Sequence, residues 1–188
     1  MSKARLFFKR EGVRDAVLDD FSSRLLAWVP VGMFFTRHVY SLATVTGGSM
    51  QPTFNPDLQT NPLQHDVVLL ERWSVALNRF QKGDVVTLWS PQNPQLLTTK
   101  RIIALEGDLV QPLCPSWSAP VRIPPGHCWV EGDSKYQTRD SNTYGPIPLG
   151  LVTAKVVYVL WPWARAARVE KGFGKSKRRV KSLEESLP

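Results

Sequence analysis

A chain of 188 residues, 43% apolar, is long enough for one domain with a buried core and terminal extensions. Fifteen prolines argue against a long-helix architecture, and two cysteines, Cys114 and Cys128, are too few for a disulfide framework or a cysteine-rich metal site. The net charge of +8 is concentrated at the C-terminal end, where residues 164–188 hold eight Lys and Arg against three acids, and no aromatic platform or reading motif accompanies it, so nucleic acid is not the expected partner.

Residues 1–24 mix charges of both signs, with Val13, Val17, Leu18 and Phe21 at helical spacing, as in a short amphipathic segment. Its acids, Glu11, Asp15, Asp19 and Asp20, are unlike those of a cleaved leader, which is poor in acids. Residues 25–45 are expected to form a membrane anchor. The apolar centre, Leu25 to Phe35, is eleven residues long. A full span needs about 20, and continuing to Val45 restores that length. Arg24 and the Arg37-His38 pair are placed to snorkel to the interfaces. A buried or interfacial helix is the alternative.

From residue 46 to 162 the texture changes to short β-like runs punctuated by turn signals. These are Val67–Leu70, Val85–Trp89, Leu96–Leu105, Leu109-Val110, His127–Glu131 and Leu151–Trp161, with a proline-rich irregular stretch over 111–126. The pattern predicts a mainly β domain, a sandwich or barrel, with little helix outside the termini. Residues 163–188 are polar, basic and aperiodic, and read as a solvated, disordered tail or a contact for acidic lipid. Both cysteines read as unpaired thiols, a single bridge between them being the alternative.

The chemistry centres on Gly47-Gly48-Ser49-Met50-Gln51-Pro52-Thr53. Glycines admit backbone conformations closed to other residues, and Pro52 stiffens the C-terminal side of the turn, so Ser49 sits at a rigid, exposed bend. An ordinary Gly/Ser turn would look the same. A nucleophile is distinguished by a base, because a serine hydroxyl attacks poorly until its proton is taken. His38, His65 and His127 carry no triad signature. Lys100 is the other candidate. It lies within the apolar run Leu96–Leu105, where burial disfavours the ammonium and lowers its pKa. Strand alternation puts Lys100 and Arg101 on opposite faces, one directed into a pocket and one outward, a surface Lys-Arg pair on an edge strand being the alternative.

Taken in order, Ser49-Met50-Gln51-Pro52-Thr53, Gly83-Asp84-Val85-Val86, Lys100-Arg101 with Gly107-Asp108, and Gly132-Asp133 with Asp140-Ser141 resemble the successive boxes of the type I signal peptidases. Members of that family are membrane-bound Ser/Lys proteases of β fold. The resemblance is strongest to its mitochondrial inner membrane branch, through Val130-Glu131-Gly132-Asp133 and Asp140-Ser141-Asn142-Thr143-Tyr144-Gly145-Pro146. It implies a signal-peptidase-like β-sheet or barrel domain behind an N-terminal hydrophobic anchor helix. Ser49 would be the nucleophile, its N–H part of the oxyanion hole, and Lys100 the general base. Bacterial relatives place a second oxyanion hydroxyl where this chain has Gly47. Thr138 would orient the Lys100 amine and Asp140 would tie down its loop, with Asn142 replacing the usual arginine partner of that aspartate. The resemblance further implies removal of N-terminal sorting sequences from proteins of the intermembrane space, on that face of the inner membrane. The implied partners are presequence-bearing substrates, membrane lipid and a related peptidase subunit in a heterodimer, with no metal or cofactor. A catalytically silent β scaffold and a self-cleaving Ser/Lys protease are the competing readings.

Overall fold

The computed structural model describes residues 24, 26–57, 64–113, 119–134, 138–172 and 179–181. The segment before residue 24 and Cys114 lie outside them. The chain divides into two units, residues 1–39 and 40–188.

In the first unit, helix α1 covers residues 26–38. Leu26, Trp28, Met33, Phe34 and Phe35 are exposed around it, so apolar side chains face outward on every side. Within its last turns His38 stacks on Phe34 with ring centroids 4.8 Å apart. Among the described residues, no helix is long and apolar enough to cross a membrane. The expected anchor over 25–45 also ends early, because its last six residues form strand β1, Tyr40–Val45. The physical reason is alternation. Tyr40, Leu42 and Thr44 face out, whereas Val45 enters the core and Ala43 packs on it, a two-residue period hidden inside an apolar run.

The second unit is built on an antiparallel sheet. The strands are β2 (Asp66–Glu71), β3 (Val85–Ser90), β4 (Asn93–Ala104), β5 (Leu109–Val110), β6 (Val121–Arg122), β7 (His127–Glu131), β8 (Ile147–Pro148), β9 (Val152–Trp161), β10 (Ala167–Arg168) and β11 (Val180–Lys181). The sheet runs β1-β2-β9-β3-β4-β7-β8, with β10 on β9, and a smaller sheet runs β11-β5-β6. One-turn helices α2 (Trp73–Ala76) and α3 (Ser141–Tyr144) complete it. Among the described residues no ladder joins β1 to β8, so the main sheet stays open rather than closing into a barrel.

Strands β3 and β4 are covered on both faces. Neighbours Val85 and Val86 enter different apolar clusters, as do Ile102 and Ile103. Each such side chain contributes roughly 1.5–3 kcal/mol when fully buried. The Gly-Asp pairs of the sequence punctuate the sheet. Gly83 and Gly107 turn with φ near +90° and +82°, and the next residues, Asp84 and Asp108, pair with Lys155 and Lys82, each at 2.7 Å. These acids lock turns.

The end of the chain departs from expectation. Residues 163–172 and 179–181 are no free tail. Residues 167–168 add a strand to β9, Arg165 pairs with Asp66, and Arg179 with Glu131. Basic residues that look solvated in sequence here face acids far away along the chain.

Cys128 lies wholly buried on β7, and burial pushes its thiol up to about 12. It should therefore resist iodoacetamide in the native protein at pH 8 and label only on unfolding, as read by mass spectrometry.

Candidate active site

After β1 the backbone reverses through Gly47, at φ +88°, into a tight turn holding Ser49 half-buried. The Gln51 N–H donates to Gly48 O at 3.1 Å and the Phe54 N–H to Met50 O at 3.1 Å. Met50 and Phe54 fill the core on one side and fix the turn by burial. The other fixing point is Asn55, buried at φ +50°. Its Nδ2 donates to Val45 O at 2.7 Å, its Oδ1 accepts from Asp66 N at 2.8 Å, and its own N–H donates to Asp66 Oδ2 at 2.9 Å. Arg165 then bridges Asp66 Oδ1 at 2.8 Å and Thr53 O at 3.1 Å. The serine loop is thus clamped at both ends by groups the motif does not contain.

Lys100 lies on β4 at 3% exposure. Its partner across the ladder is Val86, which carries no charge. Burial lowers the ammonium pKa, against the opposing fields of Asp140 first and Asp133 second. The β4–β7 ladder pairs Ile102 with Val130 and Arg101 with Glu131. Carried one residue beyond β7, the same register sets Gly132 across from Lys100. A Cβ on Gly132 would stand 2.5 Å from Ser49 O, 2.8 Å from Thr138 Cγ2 and 3.0 Å from Thr138 Oγ1. Two residues on, the Ser134 N–H donates to Ser49 O at 3.1 Å. The Ser49 carbonyl and Thr138 thereby converge on one residue without a side chain, just past the ladder that pairs β7 with β4 next to Lys100.

Arg101 does not point outward as expected; it is buried to 4% exposure. Its Nη2 donates to Asp133 Oδ2 at 2.6 Å and its Nε to Oδ1 at 2.9 Å, while Nη1 donates to the carbonyls of Gly83 and Glu170, each at 2.9 Å. Thr53 Oγ1 donates to the same Asp133 carboxylate at 2.6 Å. Alternation does separate the two cations, but the sheet is covered on both sides, so both are buried. Removing one partner of such a pair costs about 3–5 kcal/mol. A cleft of about 580 Å³ borders Thr53, Arg101, Asp133 and Arg168, and neither Ser49 nor Lys100 lines it.

Asp140 caps α3. Its Oδ1 accepts from the Asn142 N–H at 3.0 Å and Asn142 Nδ2 at 3.1 Å. Its Oδ2 accepts from the Gly132 N–H at 3.2 Å and from the Thr138 hydroxyl. With its proton given to Asp140, Thr138 keeps only lone pairs to offer an amine. At Gly47 a Cβ would meet nothing within 4 Å, but the positive φ disfavours a side chain. His127 hydrogen-bonds Pro125 O at 2.9 Å, His38 lies on α1, and His65 precedes β2. Among the described residues, no group of three or more His, Cys, Asp or Glu could hold a metal ion. Asn55, Ser134 and Arg165 were not legible as site residues, since no local pattern marks them.

A family model described as signal peptidase, peptidase S26, matches residues 19–113, which include Ser49 and Lys100. The chain is 46% identical over 150 residues to mitochondrial inner membrane protease subunit 2 of Schizosaccharomyces pombe, covering 79% of this chain and 81% of that one. The chain belongs to the S26 signal peptidases. Against the subunit 2 protein of Mus musculus it is 44% identical over 142 residues, 76% of this chain and 79% of the other. Against the mitochondrial ATP-independent inner membrane protease subunit 1a of Arabidopsis thaliana it is 38% identical over 130 residues, 67% and 73% of the two chains.

In this peptidase, Gly132→Ala should force the Ser49 carbonyl and Thr138 away from residue 132. Peptide-cleavage kinetics should show kcat falling about a hundredfold, and the melting temperature should fall as well, because the clash is with backbone.

Proposed function

We propose that this chain is a serine endopeptidase of the mitochondrial inner membrane that removes N-terminal sorting sequences, with Ser49 as nucleophile and Lys100 as general base. The observation that carries the reading is the desolvated Lys100 across from Gly132, against which the Ser49 carbonyl and Thr138 are packed. Family membership and the names of the relatives support the membrane and the organelle. The outward-facing apolar side chains of α1 supply the contact with lipid. The numbering of the relatives' subunits supports a related subunit as partner.

The neutral Lys100 amine takes the Ser49 hydroxyl proton as Oγ attacks the scissile carbonyl carbon. The carbonyl electron pair becomes an oxyanion, held by the Ser49 N–H. As the intermediate collapses, the C–N bond breaks and the leaving amine takes the proton from the Lys100 ammonium. Water then attacks the acyl-enzyme, again deprotonated by Lys100, and restores the Ser49 hydroxyl. Thr138 accepts from the amine and aims its lone pair, while Asp140 holds Thr138. Gly47 offers no side-chain donor, and a lost oxyanion donor is worth roughly 3–4 kcal/mol of barrier elsewhere. The oxyanion therefore depends on the Ser49 N–H and water.

A presequence substrate, incubated with the purified protein and its partner subunit, tests the reading. Ser49→Ala and Lys100→Met should each lose at least about 10⁴-fold in kcat/KM. Lys100→Met should be no less stable than wild type by thermal melting at pH 7. A lysine whose folded pKa is lowered binds fewer protons folded than unfolded, so its cost is full below the folded pKa and is relieved towards 10.5. Retained cleavage in either variant removes the Ser/Lys assignment, and an inactive wild type beside a working control peptidase favours a silent scaffold.

Activity should rise with pH along a limb that begins below the ordinary lysine value of 10.5, because only the neutral amine accepts a proton. A rate that stays flat into acid would rule out Lys100 as the base.

A further inference from the structure

Asn142 Nδ2 donates to two carboxylates at once, Asp140 Oδ1 at 3.1 Å and Glu131 Oε1 at 3.1 Å. An amide has two N–H protons, one for each. Both acids are buried, Asp140 at 4% and Glu131 at 5% exposure. Two buried anions flanking a neutral amide repel one another unless a cation compensates. Among the described residues, Arg179 is such a cation. Its Nη2 donates to Glu131 Oε2 at 2.7 Å and its Nη1 to Oε1 at 3.2 Å. Strand β11 carries Arg179 into place by pairing Val180 with Val110, and the Gln111 N–H donates to Arg179 O at 2.9 Å. Trp129 Nε1 adds a donor to Glu131 Oε1 at 2.9 Å.

We propose that Arg179 is a positioning residue for the active site, acting through Glu131 and Asn142 to hold the Asp140 carboxylate that anchors Thr138 and faces Lys100. The proposal rests on Lys100 being the base. The charges around that base are Asp140 and Asp133, the second already paired with Arg101, and Val86 opposite it on β3 is neutral. Among the described residues, the donors to Asp140 are neutral: Thr138, the Gly132 and Asn142 N–H groups, and the Asn142 amide. Arg179 therefore supplies positive charge to this side of the site at one remove. Without it, the field beside Asp140 becomes more negative by one charge, which favours the Lys100 ammonium and removes base at neutral pH.

The test is the pH dependence of kcat/KM on a presequence peptide, with the partner subunit present. Arg179→Gln should move the alkaline limb upward by at least about half a pH unit, seen at pH 7 as roughly a threefold loss or more. Arg179→Lys, which keeps the charge, should leave the limb near its wild-type position. Glu131→Gln combined with Arg179→Gln removes both charges and should bring the limb back. A purely structural role would lower stability in the double variant without restoring the profile. An unmoved limb in Arg179→Gln, or a double variant displaced as far as the single one, overturns the proposal. If Arg179→Gln does not fold, as read by circular dichroism, a displaced limb in Arg179→Lys or in the double variant overturns it equally. Cleavage by Ser49→Ala or Lys100→Met in the same series would instead refute the Ser/Lys reading itself.

Discussion

A side chain of any size at residue 132 would collide with the carbonyl oxygen of Ser49. That single steric exclusion lets the turn after β1 approach the end of β7, and β7 carries the register that sets residue 132 across from Lys100. Two segments far apart in sequence are brought to contact distance by an absent methyl group. The Ser134 N–H then fixes the same carbonyl, so the approach is directional as well as close.

Around that contact the protein treats two adjacent cations in opposite ways. Arg101 is buried with a forked partner in Asp133 and two carbonyls, so its charge is compensated. Lys100 is buried with neutral Val86 across the ladder, and the acids that act on it are occupied: Asp133 by Arg101 and Thr53, Asp140 by four donors. Desolvation outweighs those acids, and the ammonium is disfavoured. The proposed chemistry would stem from this asymmetry, since a guanidinium cannot act as a base and an amine stripped of water can.

Strands β2, β3, β7 and β9 were legible because valine-rich runs between Gly, Pro and Asp punctuation carry their own signal. Strand β1 was not, because Leu42, Ala43 and Val45 continue an apolar run and its alternation shows only once β2 lies beside it. Ser49 and Lys100, the proposed nucleophile and base, were singled out by motif order, and the fold adds the burial of Lys100 and the turn around Ser49. Their supports were not: Asn55 is an isolated polar residue after a proline turn, and Arg165 and Arg179 lie in a stretch whose composition reads as solvated. Each has a partner reached only through the fold, at separations of 11, 99 and 48 residues. Composition reports the average environment of a segment, and these residues are exceptions to theirs.

The clamp on the serine loop has a consequence for the order in which the molecule matures. Asp66, which grips Asn55, is itself held by Arg165, and Arg165 also ties down the carbonyl of Thr53. Strand β2 finds one of its neighbours in β9, which ends only four residues before that arginine. A chain emerging from the ribosome exposes Ser49 early but completes its cradle only when the last quarter of the sequence has arrived. The turn that carries Ser49 is therefore fastened by segments that follow it in the chain.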